Sequence, residues 1–405
     1  MTFARGFWLA ALILAAGWGG PAKLAFGGDS ESESMTRMVQ AGLDRTKIAA
    51  AEEPKSVSSQ EIMLRQINRL YFGAGMVETN LYAVISDQSA FTSSEQTVSP
   101  TEFRSSSGQN IWHSSDHLRG IWAFDRFYGR WQSDWALVTV GRQAINWSTT
   151  SFFVPNDFFA PFGAETFFRT YKAGVDAALV EVGLSDLSLL SFVHVAGYRP
   201  DRENSASNTY TPDLGSTLVR YTNNIADWDL SLAVGEIQDL RTVAVGFQGE
   251  IPPGVSLRVA GNAQQHRDQQ AQRRLRRNIA INLERLVTED LLVQAETYLQ
   301  TAGADTVGDY AKSQALGLRY AAQSYSAIGL GQQWSPLVRG QYLVIANHSD
   351  GSAQLLTFHG VSLSDEADLS CSLAGSIGRV RDHQDRVTEF GQNPYSYTLA
   401  FTAYW

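Results

Sequence analysis

The stretch that decides the fold is Tyr395-Ser396-Tyr397-Thr398-Leu399-Ala400-Phe401-Thr402-Ala403-Tyr404-Trp405. Tyr395, Tyr397, Leu399, Phe401, Ala403 and Trp405 occupy one set of alternate positions; Ser396, Thr398, Ala400, Thr402 and Tyr404 occupy the other. A β-strand turns successive side chains to opposite faces. This segment therefore reads as a strand with one apolar, aromatic face and one small, mainly polar face.

The same period recurs upstream. Ala367, Leu369, Cys371, Leu373, Gly375 and Ile377 alternate with Asp368, Ser370, Ser372, Ala374 and Ser376. Leu291, Val293, Ala295, Thr297 and Leu299 alternate with Gln294, Glu296, Tyr298 and Gln300, and Ile279, Ile281 and Leu283 with Asn278, Asn282 and Glu284. Leu316, Leu318 and Tyr320 alternate with Ser313, Gly317 and Arg319. From about residue 69 onward the chain is period-two segments of about 10 residues divided by turn residues, the pattern of a transmembrane β-barrel.

A water-soluble sandwich also alternates. Composition separates the two: of 405 residues 44% are hydrophobic and 11% aromatic, while 18% are charged, against about 25% charged in ordinary soluble domains. A terminal strand ending on an exposed aromatic suits a lipid-facing wall, where aromatic side chains sit at the membrane interface. The segment Tyr395, Tyr397, Leu399, Phe401 and Trp405 resembles the C-terminal signature of bacterial outer-membrane barrels, read by their assembly machinery, with Trp405 where Phe is usual.

Several classes are excluded. A net charge of −9 argues against a general nucleic-acid binder. One Cys excludes a disulfide framework and a thiolate metal cluster, and no Cys-x-x-Cys-His is present to attach haem. Beyond the N-terminus no apolar run reaches the roughly 18 residues of a membrane-spanning helix. Residues 1–22, with Arg5, an apolar run from Phe7 to Trp18 and small residues to Ala22, read as a signal peptide. Residues 23–68 read as a polar, partly helical periplasmic arm, on the weak stripe Ile62, Leu64, Ile67 and Leu70. Residues 69–405 read as the barrel.

Seventeen strand-like segments can be counted, one of them at 312–322. Single-chain bacterial barrels have even strand numbers, so the expectation is an antiparallel up-and-down barrel of about 16 strands, within 14–18, with both termini periplasmic. The gaps 144–170, 198–213, 264–275, 301–311 and 380–393 are expected as loops on the extracellular side. The spacing of the last is out of step, which places the miscount within 312–379. A barrel of this size holds a water-filled channel.

By alternation, pore-lining candidates are His194, Arg258, Asn278, Asn282, Glu284, Gln294, Glu296 and Arg319, with Arg142 and Asp157 as pore-narrowing candidates. The last two belong to the most distinctive stretch of the chain. It runs from Gly141-Arg142-Gln143 through Trp147 to Phe152-Phe153-Val154-Pro155-Asn156-Asp157-Phe158-Phe159-Ala160-Pro161-Phe162. Its Pro and Asn-Asp residues fix turns, and its Phe residues need burial, so it is expected to fold into the barrel mouth or onto the wall. This pattern resembles a segment of porin-like barrels of Gram-negative bacteria, including alginate-export-like and related uncharacterised families. Relatives commonly have Gly after the Trp, where Ser148 stands here.

The resemblance supports the barrel class without fixing a substrate, and the barrel's size points to an outer-membrane channel for small hydrophilic or anionic solutes. The alternative is a barrel scaffold sheathing a partner, such as a multihaem cytochrome or a polysaccharide exporter. Arg267, Arg273, Arg274, Arg276 and Arg277 crowd one connection, where lipopolysaccharide phosphates or an anionic substrate are the natural counter-ions. The other partners expected are outer-membrane lipid, the barrel assembly machinery and a periplasmic or extracellular protein; oligomeric state is left open. No Ser, His and acid converge in a local signature, so no catalytic residue is assigned, and no metal ligand set or cofactor either.

Overall fold

The computed structural model describes residues 32–48, 55–88, 102–115, 118–166, 171–201, 207–267, 275–392 and 395–405; the signal-peptide segment, Arg273 and Arg274 lie outside them. The strands are β1 (Ser32–Ile48), β2 (Lys55–Phe72), β3 (Gly75–Gln88), β4 (Gln109–Ser114), β5 (Leu118–Gln132), β6 (Ala136–Gln143) and β7 (Val175–Ser185). There follow β8 (Ser188–Val195), β9 (Tyr198–Pro200), β10 (Asn208–Tyr210), β11 (Ser216–Ile225), β12 (Trp228–Ile237), β13 (Leu240–Ile251) and β14 (Val255–His266). The last seven are β15 (Arg276–Thr288), β16 (Leu291–Gln300), β17 (Ser324–Ser335), β18 (Val338–Asn347), β19 (Ala353–Ser364), β20 (Ala367–Ser376) and β21 (Tyr395–Tyr404); a short helix, α1 (Tyr310–Ala315), precedes β17.

Eighteen of these strands close an antiparallel ring, each paired with its sequence neighbour. The seam is β1 against β21, in register from Met38↔Tyr404 to Lys47↔Tyr395. The short β4 pairs with Arg119–Ala123 of β5 on the edge that β6 occupies further along, while β9 and β10 form a separate ribbon. Closure leaves the eighteen-strand ring without an edge strand, the condition for backbone to cross a bilayer with its polar groups satisfied.

Alternation sets the two faces. Val243, Val245, Ile279, Ile281 and Leu283 are exposed, whereas Thr242, Ala244, Ala280 and Asn282 between them are buried inside. Tyr395, Tyr397, Leu399 and Trp405 are likewise exposed on the outer face. One end of the barrel carries Ser32, Trp405 and tight turns such as Ala226-Asp227, whose positive φ values of 52° and 68° suit a two-residue hairpin turn. Exposed Phe72, Trp131, Trp135 and Trp334 lie near this end, as an interfacial girdle requires. The other end carries the long connections, 144–174, 196–215, 301–323 and 377–394 among them.

Three expectations are corrected. The ring has 18 strands, not about 16. Residues 32–48 and 55–72 are barrel strands rather than an arm: β2 pairs with β3 from Ser59↔Gln88 to Phe72↔Gly75, and the weak helical stripe came from counting residues of both faces together. Residues 312–322 are no strand, because α1 and the turn after it place Leu316 and Arg319 in a connection. Losing one segment and gaining two accounts for the even number.

Candidate functional site

The functional architecture is built on the connection from β6 to β7, described over residues 144–166 and 171–174. Gly141 is where the chain prepares to leave the wall: its φ is +121°, and a Cβ there would lie 2.4 Å from the Phe127 carbonyl oxygen. Gln143 then donates to the carbonyls of Thr139 and Ala177 at 3.1 Å each. From here the connection folds inward and reaches β16 and β17, which lie nearly opposite β6 and β7 in the ring.

At the far wall the loop is held by a carboxylate. Glu296 of β16 accepts the backbone N–H groups of Ser151 at 3.1 Å, Phe152 at 3.0 Å and Phe153 at 2.7 Å, and the Asn282 side-chain amide at 3.1 Å. It is 3% exposed. Three successive amides in a turn form a concave anion-binding nest, and here the protein's own wall fills it. Phe153 beside them is fully buried, stacked on Tyr298 at 5.1 Å and edge-on to Tyr320 at 5.2 Å. Gly329 of β17 leaves room for Phe152, since a Cβ there would meet its ring at 2.4 Å.

Further ties run along β13 and β14. Asn156 donates to the Val245 carbonyl at 2.8 Å, Thr149 to the Val259 carbonyl at 3.1 Å, and Asn262 to the Pro155 carbonyl at 2.7 Å. Asn278 supports Asn262 at 2.9 Å. Arg258 bridges Ser151 at 3.2 Å and Glu284 at 2.9 Å, and Gln294 also donates to Ser151 and Glu284. Trp147 lies under Arg220, whose guanidinium carbon is 5.5 Å from the ring centre. Loop and wall thus form two apolar clusters, around Phe153 and around Phe159, that cover inner-face residues from β7 round to β19.

Returning to β7, the loop holds a buried ion pair between Asp157 and Lys172. Burial pushes the Asp157 carboxyl up and the Lys172 ammonium down, each opposed by the charge of the other. Arg126 of β5 donates to the Lys172 carbonyl at 3.2 Å. Tyr171 covers Arg65 of β2, with 4.4 Å from guanidinium carbon to ring centre.

The side of the lumen away from these clusters is bounded by β1–β5 and β20–β21, with the part of β19 nearest the tight turns. Arg65 pairs with Asp125 at 2.9 Å and with Asn80, and Arg104 reaches Asp125 at 3.4 Å. Arg69 pairs with Glu78 at 2.7 Å, and Arg126 stands 3.8 Å from the same carboxylate; Arg130 lies over Tyr128. Four guanidinium groups therefore share two carboxylates and the fifth, Arg130, donates to the Thr139 hydroxyl, while Glu61 and Arg119, nearer the other mouth, add one charge of each sign. The neighbouring wall offers hydroxyls and acids instead: Thr398 donates to Asp44 at 2.8 Å and Ser362 to Asp368 at 2.7 Å.

The structure distributes the residues singled out by sequence unevenly. Arg258, Asn278, Asn282, Glu284, Gln294 and Glu296 are on the inner face, but they fasten the loop rather than line an open path. His194 is corrected to the outer face, where Nδ1 meets the Thr217 hydroxyl at 2.9 Å, because Val193 and Val195 are the residues that turn inward. His359 also lies outside, stacked on Trp334. Arg142 is buried in the wall, paired with Asp176 at 2.7 Å and donating to the carbonyls of Phe124 and Ser105, so it does not narrow the pore. Arg319 sits in the 301–323 connection and pairs with Glu165 at 3.2 Å. Arg65, Arg69 and Arg104 were missed; alternation within 59–72 was the available signal for the first two.

A closed eighteen-strand barrel with one long connection folded across its lumen has the fold of an outer-membrane porin. Among solved structures the chain is similar to OccK2 (OpdF) of Pseudomonas aeruginosa, at a TM-score of 0.59 and 8% identity over 93% of this chain and 98% of that one. It is similar to the outer-membrane protein OpdK of the same organism, at 0.59 and 9% over 93% and 100%, and to OccAB1 of Acinetobacter baumannii, at 0.57 and 10% over 95% and 99%. The similar structures include OpdK with vanillate and OccK2 (OpdF) in complex with glucuronate. At such identities the likeness is one of fold, and it lends nothing to the alginate-export comparison. No family model and no curated protein matches the chain.

Proposed function

We propose that the protein is an outer-membrane channel for small hydroxylated anions, with both termini on the periplasmic side and the long connections outside. The carrying observation is the asymmetry of the lumen. The loop fills one side, and the remaining side presents Arg69, Arg126 and Arg130, backed by the buried Arg65 and Arg104, beside a wall of Ser, Thr and Asp side chains. Guanidinium groups match carboxylates in geometry as well as charge, and the hydroxyl wall offers partners to a sugar-like body. Vanillate and glucuronate, bound by the structural neighbours, are both carboxylates bearing hydroxyl groups. The loop also occupies space that a sheathed protein would need, which favours a channel over a scaffold.

Liposome swelling tests this. Vesicles containing the protein should admit glucuronate faster than glucose at equal osmolarity, and Arg69→Gln with Arg126→Gln should remove the difference. Equal rates for the two solutes in the unaltered protein would overturn the anion preference, and no swelling with either would overturn the channel.

A further inference from the structure

The outer face at the end with the long connections carries a charge pattern that the channel does not use. Arg241 of β13 is exposed on the same alternate set as Val243 and Val245, and Arg277 of β15 on the same set as Ile279 and Ile281. Both guanidinium groups therefore stand at the upper edge of the apolar band. Gln265 of β14 lies between them, opposite Arg241 in register, while Arg277 is opposite Ala263. With strands about 4.8 Å apart, the two arginines are separated by roughly 10 Å across the wall plus a diagonal offset. Among the described residues neither guanidinium has an ion pair or hydrogen bond. Arg267 adds a third, held only loosely by Glu236 at 3.8 Å and 69% exposed.

Glu236 stands opposite Arg241 in register and 3.8 Å from Arg267, so three guanidinium groups at the rim of a hydrocarbon-facing surface share one carboxylate, which is costly unless an anion of the surrounding medium meets them. The anion available at that depth is the phosphate of a membrane lipid, whose acyl chains would lie along Val243, Val245, Ile279 and Ile281. We propose that Arg241, Gln265 and Arg277, with Arg267 above them, form a seat for a phosphorylated glycolipid of the outer leaflet. Two phosphates on one headgroup would engage both arginines, whereas a single phosphate would engage one. The placement in the outer leaflet rests on the orientation given above.

The test uses full-length protein folded in detergent, titrated with bis-phosphorylated lipid A and with its dephosphorylated form, and followed by native mass spectrometry. The unaltered protein should bind the phosphorylated lipid at least about tenfold more tightly, the order expected for charge-assisted contacts. Arg241→Ala with Arg277→Ala should abolish that difference. Arg285→Ala, on the same face of β15 at the opposite end, should leave it intact. Equal binding of the two lipids, or equal loss from the Arg285 variant, would overturn the proposal. Liposome swelling keeps the two ideas apart: glucuronate entry unchanged in the double variant while its lipid preference is lost supports the lipid site, unchanged lipid preference in the double variant overturns it, and no entry even with the unaltered protein counts against the channel.

Discussion

Truncation of Glu296 to Ala is the sharpest perturbation of the lumenal loop. It leaves the amides of Ser151, Phe152 and Phe153 and the Asn282 side chain without their acceptor. A buried donor left unsatisfied costs about 1–3 kcal/mol, while removing a buried carboxylate recovers part of its desolvation penalty. The net is about 2–5 kcal/mol against the pinned loop. At about 1.4 kcal/mol per factor of ten, that shifts the balance of pinned to released loop by roughly 30-fold to several-thousand-fold. The strand ladders on both sides of β16 are unaffected, so the barrel itself should still show heat-modifiable gel migration. In planar bilayers the variant should give a larger mean conductance with flicker between levels, and Glu296→Gln, which keeps one acceptor oxygen, should fall between. Conductance and noise equal to those of the unaltered protein would refute the pinning argument.

Other outcomes follow from the same contacts. Gly141→Ala should lower the temperature of heat modification, since the left-handed backbone and the 2.4 Å approach to the Phe127 carbonyl together cost about 1–3 kcal/mol or more. Phe153→Ala should release the loop much as Glu296→Ala does, through the roughly 3–5 kcal/mol lost when a buried Phe is truncated, seen as the same flicker. Burial raises the Asp157 pKa, so the pinned loop binds that proton more tightly than a released one. Its contribution is complete below the released-state value, about 3.9, and is lost as pH rises through the raised pKa. Channel noise should therefore fall on acidification from neutral pH, and Asp157→Asn should flatten that dependence.

Much of the barrel was legible because its physics is local. Alternation in Ile279–Glu284, Leu291–Gln300 and Tyr395–Trp405 reports directly which solvent each face meets, and the structure has those strands where the pattern places them. Errors arose where a second environment competes. In β2 the inner face carries Arg65 and Arg69 among apolar residues, which blurs the contrast on which the period depends. Leu316, Leu318 and Tyr320 alternate by coincidence, and Tyr320 is buried because it packs on Phe153 rather than on lipid.

The candidate site was only half visible, for a related reason. Alternation finds the inner face but not what covers it, so Glu296 and Asn282 read as pore lining although the loop buries them. The aromatic stretch announced burial, yet its landing place depends on Glu296, more than a hundred residues away, and no local signal encodes that meeting. His194 failed because the alternate set of β8 is anchored by Val193 and Val195, which face the Phe159 cluster instead of lipid.

The central claim is that the side of the lumen left free by the loop is a conducting, anion-preferring path. The most direct measurement is the reversal potential of single channels in planar bilayers under a potassium chloride gradient. The arginines of β2 and β5 predict a discrete open conductance with a reversal potential of the sign set by chloride. A potential of the sign set by potassium, or no conductance from protein shown to be folded by its gel shift, would contradict it.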